Sequence, residues 1–506
     1  MKTAQLLELI KIKTINGPVP LAVTGIQMDS RKIKPGNIFV CITGTRVDGH
    51  DFIGEAVQRG ASLIIAEKKL PLDSETVCSV LVKHPAKVMA RLVNHFYENP
   101  AAKLCTIGVT GTNGKTTVSH MIYEVLELAG HKSAVGGTLG FRMNGSSTPT
   151  VNTTSDVILN MEMLQTAVDN DCTAMTMEVS SQGIVSGRVW GIDFDIAVFT
   201  NLTHDHLDFH QTMERYGYAK GLLFAQLGQN LRKEKYAILN ADDPWAERFS
   251  EMTPFETISY GLSPSADFHA SHIVYGEHGT TFLLHSPEGV HRLSTSFIGD
   301  FNVYNSLAAI SALYAYGLAL SGILQHLPDV QPVAGRMEKI SHPDGPTVYI
   351  DYAHTPDAIE KAINSIMPFK KSRLIVLIGS GNYRDRLKRP IMAEKASAAD
   401  FVIITTNNPG KEPVDTILSD FQKGMLHEQY TLIGDRREAV RLAVGQADKD
   451  DIVLLTDKGH ETSLLIGDES ISYSDKDTAL EQLLATHSKS AAPSIPYTSC
   501  DGSGKP

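Results

Sequence analysis

Residues 104–109 form a largely apolar run, and after a short glycine-rich stretch apolar residues return at Val118, Met121, Ile122, Val125 and Leu126. The run suits a buried strand and the later spacing follows a 3.6-residue period, so the segment reads as strand, turn, helix. Strand and helix patterns go on alternating to about residue 330, with strands expected at 174–179 and 194–202. A second alternating block follows Pro332, with strands expected at 347–351, 373–378, 401–405 and 451–456 and helices near 356–366 and 390–399. Alternation of this kind predicts an α/β protein with mostly parallel sheets and crossover helices. Ahead of both blocks, a short amphipathic helix over 1–13 precedes strands at 37–42 and 62–66 and a helix around 51–59. Pro100 breaks the pattern just before the first block, a natural boundary. From about 489 Ser, Pro, Gly and Lys dominate, which predicts a flexible tail. The expected domains are therefore 1–100, 101–332 and 333–488, with a tail over 489–506. Open parallel sheets bind ligands at the carboxyl ends of their strands, so the two α/β blocks predict a cleft that can close.

Composition narrows the class without naming a chemistry. A chain of 506 residues has room for roughly three domains of about 150 residues. Its formal charge of −11 argues against a general nucleic-acid or membrane surface, while leaving room for a local basic pocket. Cys41, Cys78, Cys105, Cys172 and Cys500 are scattered and odd in number, which reads as reduced thiols. With no signal-peptide core and no run of membrane-spanning length, a cytoplasmic monomer without nucleic-acid or membrane partners is expected.

Candidate chemistry begins in the turn Gly108-Val109-Thr110-Gly111-Thr112-Asn113-Gly114-Lys115-Thr116-Thr117. Backbone N–H groups of such a turn can converge on phosphate oxygens at the positive end of the following helix. Lys115 adds a charge for the terminal phosphates and the Thr116 hydroxyl suits Mg²⁺, so ATP is the expected ligand. The strict phosphate-loop pattern has glycine where Val109 stands. Glu178 ends a strand and is either a second Mg²⁺ ligand or part of a Glu-Ser-Ser capping turn. His204, Asp205, His206, Asp208 and His210 cluster after another strand, the setting of a metal or phosphate contact. Asn302 and Asn305, three apart, can face a purine edge together or cap their helix. Arg336, in the second block, can reach a terminal phosphate.

Gly-Thr-Asn-Gly-Lys-Thr-Thr, Met-Glu-Val-Ser-Ser, Asn-Leu-Thr-His-Asp-His-Leu-Asp-Phe-His, Phe-Asn-Val-Tyr-Asn, Gly-Arg-Met-Glu and Asp-Tyr-Ala-His-Thr-Pro-Asp follow one another here. In that order they resemble the Mur ligases, and over about 20–485 the chain looks like the MurE type, which adds the third residue of the peptidoglycan stem peptide. Asp29-Ser30-Arg31, Asn152-Thr153-Thr154 and Lys458-Gly459-His460-Glu461 carry the narrower likeness. The resemblance implies three domains: an N-terminal UDP-substrate domain, a central P-loop ATP-binding domain with a parallel sheet, and a Rossmann-like C-terminal domain for the amino acid. It implies an ATP-dependent amide ligase that acts on UDP-N-acetylmuramoyl-L-alanyl-D-glutamate through an acyl phosphate.

By the same resemblance Gly111 to Thr117 cradle ATP, and Thr116, Glu178, His206 and Lys220 serve two Mg²⁺ sites, with Lys220 carbamylated by CO₂. Lys115, His206, Lys220 and Arg336 would carry catalysis. Asn302 and Asn305 would contact adenine, and Asp351 the nucleotide. Ser30 and Thr45 would lie in the UDP site. Asn152, Thr153, Thr154, Ser180, Ser186 and Arg188 would touch the muramoyl-dipeptide, and Arg384, Asn408, Asp457 and Glu461 the incoming amino acid. Four departures bear on this: Gln182 for histidine, Gly381-Asn382-Tyr383-Arg384 for Gly-Gly-Asp-Arg, Gly410 for the arginine of diaminopimelate-adding enzymes, and Asp457 for glycine. Losing an arginine and gaining an aspartate favours a terminal cation on the substrate, as in L-lysine or ornithine. A paralogue acting on a different amino acid or acyl substrate is the alternative. Folylpolyglutamate synthetases share the ATP half but not the N-terminal motifs.

Overall fold

A computed structural model describes residues 1–44, 47–70, 77–382 and 385–487; Thr45, Arg384 and the expected tail over 489–506 lie outside the described residues. Chain contacts define two units, Met1–Gln331 and Pro332–Pro506.

The first unit carries two sheets. The smaller runs in the order Thr14–Asn16, Cys78–Leu81, Leu63–Ala66, Asn37–Val40, Gly25–Gln27, parallel except at the edge strand Thr14–Asn16. The larger has eleven strands. At its centre Ile196–Phe199, Cys105–Thr110 and Ala174–Glu178 lie side by side and parallel. All three are buried along their whole length or nearly so, as strands covered on both faces must be. Antiparallel hairpins close both ends, through Phe268–Gly276, Gly279–Ser286 and Gly289–Thr295 on one side and Ser133–Gly137, Gly140–Met143 and Ser146–Thr148 on the other. One apolar cluster runs from Leu6 and Val93 through Leu104 and Met161 to Phe249, so residues on both sides of Pro100 share a core.

The second unit has a six-stranded sheet ordered Glu338–Ser341, Thr347–Ile350, Ile452–Leu455, Leu374–Ser380, Phe401–Thr406, Tyr430–Leu432, parallel but for its first pair. A separate hairpin, Ser463–Ile466 with Glu469–Ser472, follows. Two arginines are fully buried inside the unit. Arg436 is held by both oxygens of Asp475, at 2.9 and 2.7 Å, and Arg389 by both oxygens of Glu412, each at 2.8 Å. These are planar two-point pairings that a lysine could not reproduce.

Candidate active site

The three central parallel strands of the first unit end at one edge, and the residues leaving them meet there. Cys105–Thr110 turns through the glycine-rich loop into the helix Lys115–Leu128. Gly114 stands at φ +87°, and a Cβ there would collide with the Asn305 side-chain oxygen, so both conformation and space require glycine. The loop is gripped from the next strand. Thr200 Oγ1 donates to the Asn113 carbonyl at 2.6 Å, Asn201 Oδ1 accepts the Asn113 N–H at 3.0 Å, and the Thr112 N–H donates to the Asn201 carbonyl at 2.8 Å. Thr203 N–H reaches Thr112 Oγ1 at 3.0 Å. Thr200 keeps a backbone bond to the Thr110 carbonyl at 3.0 Å while its side chain and residues 201–203 turn to the loop, so the strand stops at Phe199 instead of running to 202.

On the other side, Glu178 ends its strand with a buried carboxylate. It accepts from Thr116 Oγ1 at 3.0 Å, from the Thr138 N–H at 2.7 Å and from Thr138 Oγ1 at 3.1 Å. Ser180, two residues on, is the cap of the helix Ser181–Val185. The two sequence readings of this segment thus divide between neighbours: Ser180 caps, and Glu178 faces the loop. Oxygen ligands on adjacent vertices of a Mg²⁺ octahedron, with bonds of about 2.1 Å, lie about 3 Å apart. The Thr116–Glu178 separation matches that, so this pair fits the metal. Among the described residues no three His, Cys, Asp or Glu side chains form a metal cage. Mg²⁺ beside a nucleotide needs only one or two protein ligands with phosphate oxygens.

Lys220 comes from the helix Met213–Ala225 and is buried, with Nζ donating to the Gly111 carbonyl at 2.7 Å and standing 4.5 Å from the Tyr216 ring centre. Burial drives its amine well below the usual lysine range, with the nearby Lys115 charge acting in the same direction and Asp205 opposing. Lys115 itself donates to the Gly111 and Thr112 carbonyls, each at 2.8 Å. Of the histidine cluster, His206 sits at φ 52° with its side chain partly exposed and Asp205 3.4 Å away. His210 is buried, bonded to Ser181 Oγ at 2.9 Å and stacked on Tyr216. His204 and Asp208 are exposed.

Asn302 and Asn305 are both buried beside the loop; Asn302 Nδ2 donates to the Ile298 carbonyl at 2.8 Å and Asn305 Nδ2 to Asn302 Oδ1 at 2.9 Å. Thr153 bonds Thr138 at 3.1 Å, joining the Glu178 network. Thr154 Oγ1 donates to the Glu178 carbonyl at 2.9 Å and to Ser180 Oγ at 3.0 Å, and Arg188 donates to the Thr154 carbonyl at 2.9 Å. Burial lowers the proton affinity of the Arg188 guanidinium, Asp156 opposing. Asn152 and Ser186 are exposed. Ser30 lies in the smaller-sheet region, its hydroxyl donating to Glu55 Oε2 at 2.6 Å.

The second unit gathers the remaining candidates. Arg336 lies 4.8 Å from the Tyr352 ring centre, and Asp351 Oδ2 accepts the Met337 N–H at 2.8 Å. Burial pushes the Asp351 carboxyl up to about 6, against the pull of Arg336 and backbone donors. Lys458, fully buried, donates to Asn407 Oδ1 and Asn408 Oδ1 at 3.0 Å and to Glu461 Oε2 at 2.9 Å. Asn408 Nδ2 and Tyr352 OH also donate to Glu461, at 3.0 and 3.2 Å. Asp457 is buried at φ 75°, and its charge helps to hold the Arg436 guanidinium protonated. Gly410 stands at φ +54°, where a Cβ would lie 2.7 Å from Asn382 Nδ2.

Several participants carried no sequence assignment. Asn201 and Lys458 lie within the family-like motifs and Thr200 just before one, none of them with a role in the sequence reading. Asn240 and Asp243 lie outside every motif, in Asn-Ala-Asp-Asp-Pro, a turn signal after a strand. Asn240 Nδ2 donates to the Thr200 carbonyl at 2.8 Å and Asp243 Oδ2 accepts the Leu202 N–H at 2.8 Å. They hold from behind the segment that grips the phosphate loop.

Comparison with known proteins identifies the family. Residues 22–97 match the Mur ligase family catalytic domain, 109–313 the Mur ligase middle domain and 335–459 the Mur ligase glutamate ligase domain. The chain is 43% identical over 483 residues to the UDP-N-acetylmuramyl-tripeptide synthetase 2 of Oceanobacillus iheyensis, covering 95% of this chain and 98% of that one. It is 44% identical over 462 residues to the UDP-N-acetylmuramoyl-L-alanyl-D-glutamate–2,6-diaminopimelate ligase of Geobacillus thermodenitrificans, covering 90% and 94%. The corresponding L-lysine ligase of Staphylococcus haemolyticus is 40% identical over 461 residues, covering 91% and 93%. A solved structure of a UDP-N-acetylmuramoyl-L-alanyl-D-glutamate–2,6-diaminopimelate ligase superposes with a TM-score of 0.66 at 30% identity, covering 96% of this chain and 99% of that one.

Proposed function

The chain belongs to the Mur ligase family, and from that premise we propose that it joins a third amino acid to UDP-N-acetylmuramoyl-L-alanyl-D-glutamate at the cost of ATP. The observation that carries this reading is the convergence of Lys115, Thr116, Glu178 and Lys220 on one loop, in a chain whose relatives named for this reaction match nearly end to end.

A carboxylate resists attack by an amine because its leaving group would be oxide. An oxygen of the free D-glutamate carboxylate attacks the terminal phosphorus of ATP, the bond to ADP breaks, and an acyl phosphate results. The incoming amine then attacks through a tetrahedral intermediate, and phosphate leaves. The loop N–H groups and Lys115 bind and orient the ATP phosphates. Thr116 and Glu178 would hold Mg²⁺, which when bound neutralises charge between two approaching anions. His206 would serve a second Mg²⁺. Lys220, whose burial disfavours the charged form of its amine, would add to CO₂, lose a proton and become a carbamate. Arg336 supplies a further cation for phosphate. Thr153, Thr154 and Arg188 would orient the muramoyl-dipeptide.

The acceptor we favour is dibasic, L-lysine or ornithine. Gly410 offers no guanidinium for a distal carboxylate, and glycine there fits both its φ and the space beside Asn382. Gly410 carries this preference more than Asp457, which is buried and adds only a small contribution to holding the Arg436 guanidinium protonated. Phosphate release with ATP, Mg²⁺ and UDP-N-acetylmuramoyl-L-alanyl-D-glutamate against L-lysine, L-ornithine, meso-diaminopimelate and neutral amino acids tests both levels. Preference for diaminopimelate would overturn the dibasic reading. Silence across the panel with ATP still bound would transfer the chain to a different acyl substrate.

A further inference from the structure

A groove of about 310 Å³, none of whose lining residues is assigned above, opens beside the smaller sheet between the segment 9–12, the end of the strand Cys78–Leu81 and the helix Pro85–Phe96. Its floor is apolar, Ile12 stands on its rim 73% exposed, and Val88 lines one wall. Around it sit Lys11, Lys83, Lys87 and Arg91, all exposed. No carboxylate lines the groove. Among the described residues none of these four cations forms an ion pair, in a chain whose net charge is −11. Lys87 and Arg91 stand four apart on one face of the helix, and Lys83 and Lys87 crowd its N-terminal end, where the helix dipole disfavours positive charge. A fold optimised for stability alone would not concentrate cations there.

From this arrangement we infer that the groove is a docking site for the surface of an anionic lipid bilayer, with phosphate headgroups on the four cations and Ile12 entering the acyl boundary. The composition favours lipid over a protein partner. Protein interfaces are depleted in lysine and enriched in aromatic residues, whereas this groove carries three lysines and no Phe, Tyr or Trp. Basic side chains flanking an exposed aliphatic anchor are what an anionic membrane surface recognises. No helix among the described residues is long and apolar enough to cross a membrane, so the contact would be peripheral and reversible. The overall negative charge would repel the rest of the molecule and so fix which face approaches. The inference is independent of the ligase reading, because its readout is vesicle binding.

The test is sedimentation of the full chain with vesicles of phosphatidylcholine alone and of equimolar phosphatidylcholine and phosphatidylglycerol. Binding is expected only to the anionic vesicles, weakening as salt rises. Lys87→Glu with Arg91→Glu should lower partitioning roughly tenfold or more, with turnover on soluble substrates unchanged. Lys83→Gln with Lys87→Gln gives a smaller loss and serves if the charge reversal does not fold; Ile12→Asn should weaken binding without changing charge. Absence of binding to anionic vesicles, equal binding to both kinds, or anionic binding that survives these substitutions would overturn the inference.

Discussion

Lys220 Nζ donates to the Gly111 carbonyl across 2.7 Å, although 109 residues separate the two in sequence. The contact holds a buried amine against the first glycine of the phosphate loop, with Tyr216 beneath it. Burying a lysine amine there works against folding stability, and the ligase reading gives it a chemical use.

Replacing Lys220 should reveal that conflict. Its folded proton affinity is depressed, so below the ordinary lysine range the unfolded chain binds this proton more readily than the fold, and stability from this group rises as pH climbs toward about 10.4. Lys220→Met should therefore melt higher than the parent at pH 7, with the gap narrowing toward pH 10, while ligation falls by at least 10²-fold. Added ¹³C-bicarbonate should give a carbamate resonance in the parent and none in the variant. A variant that melts lower at pH 7 and keeps its turnover would refute both parts.

Glu178→Gln keeps the size and the acceptor for Thr138 but removes the charge beside Thr116. The Mg²⁺ concentration for half-maximal activity should rise by at least about tenfold. An unchanged Mg²⁺ titration would remove Glu178 from the metal site.

Asn240 and Asp243 act at one remove, through the segment 200–203. Asp243→Ala leaves the largely buried Leu202 N–H without its carboxylate, a loss of about 1–3 kcal/mol. If the segment positions the loop, kcat should fall in Asn240→Ala and Asp243→Ala while the protein remains folded, and Asp243→Asn should recover part of it. Loss of stability with kcat intact would leave these residues a purely structural role.

Asp351 predicts a pH dependence. Its carboxyl titrates near 6 in the fold and near 3.9 in the unfolded chain, so between these values the fold holds the extra proton. This group's contribution therefore declines as pH rises from about 4 through 6, by up to ~3 kcal/mol. The difference in melting temperature between parent and Asp351→Asn should move in the variant's favour from pH 4 to pH 7. A constant difference would mean that the carboxyl is already ionised at pH 4.

Gly410→Arg should not create a diaminopimelate ligase. A non-glycine residue at φ +54° costs about 1–2 kcal/mol, and its Cβ would press on Asn382. Turnover with every acceptor should drop. Efficient diaminopimelate turnover by this single variant would show that the loop adapts and that the arginine alone sets specificity.

Elements that rest on local pattern were legible along the chain. The apolar run before Gly111 and the 3.6-residue spacing after Lys115 became the strand Cys105–Thr110 and the helix Lys115–Leu128, because buried parallel strands and amphipathic helices write their periods directly into the chain. Motif order likewise led to Lys115, Thr116 and Glu178. The tertiary structure decided what depends on a partner distant in sequence. The strand expected over 194–202 ends at Phe199 because Thr200 and Asn201 bond to the loop, a choice invisible in their own residue types. Asn240 and Asp243 gained a role only when parallel pairing brought Tyr236–Asn240 beside Ile196–Phe199. The hairpins over 268–295 were missed because strands exposed on one face alternate weakly, and their ladder partners, not their composition, make them strands. Even the charge of the surface divides this way: the sum of −11 is written in the sequence, while four cations gathered around one apolar groove exist only where the chain folds back on itself.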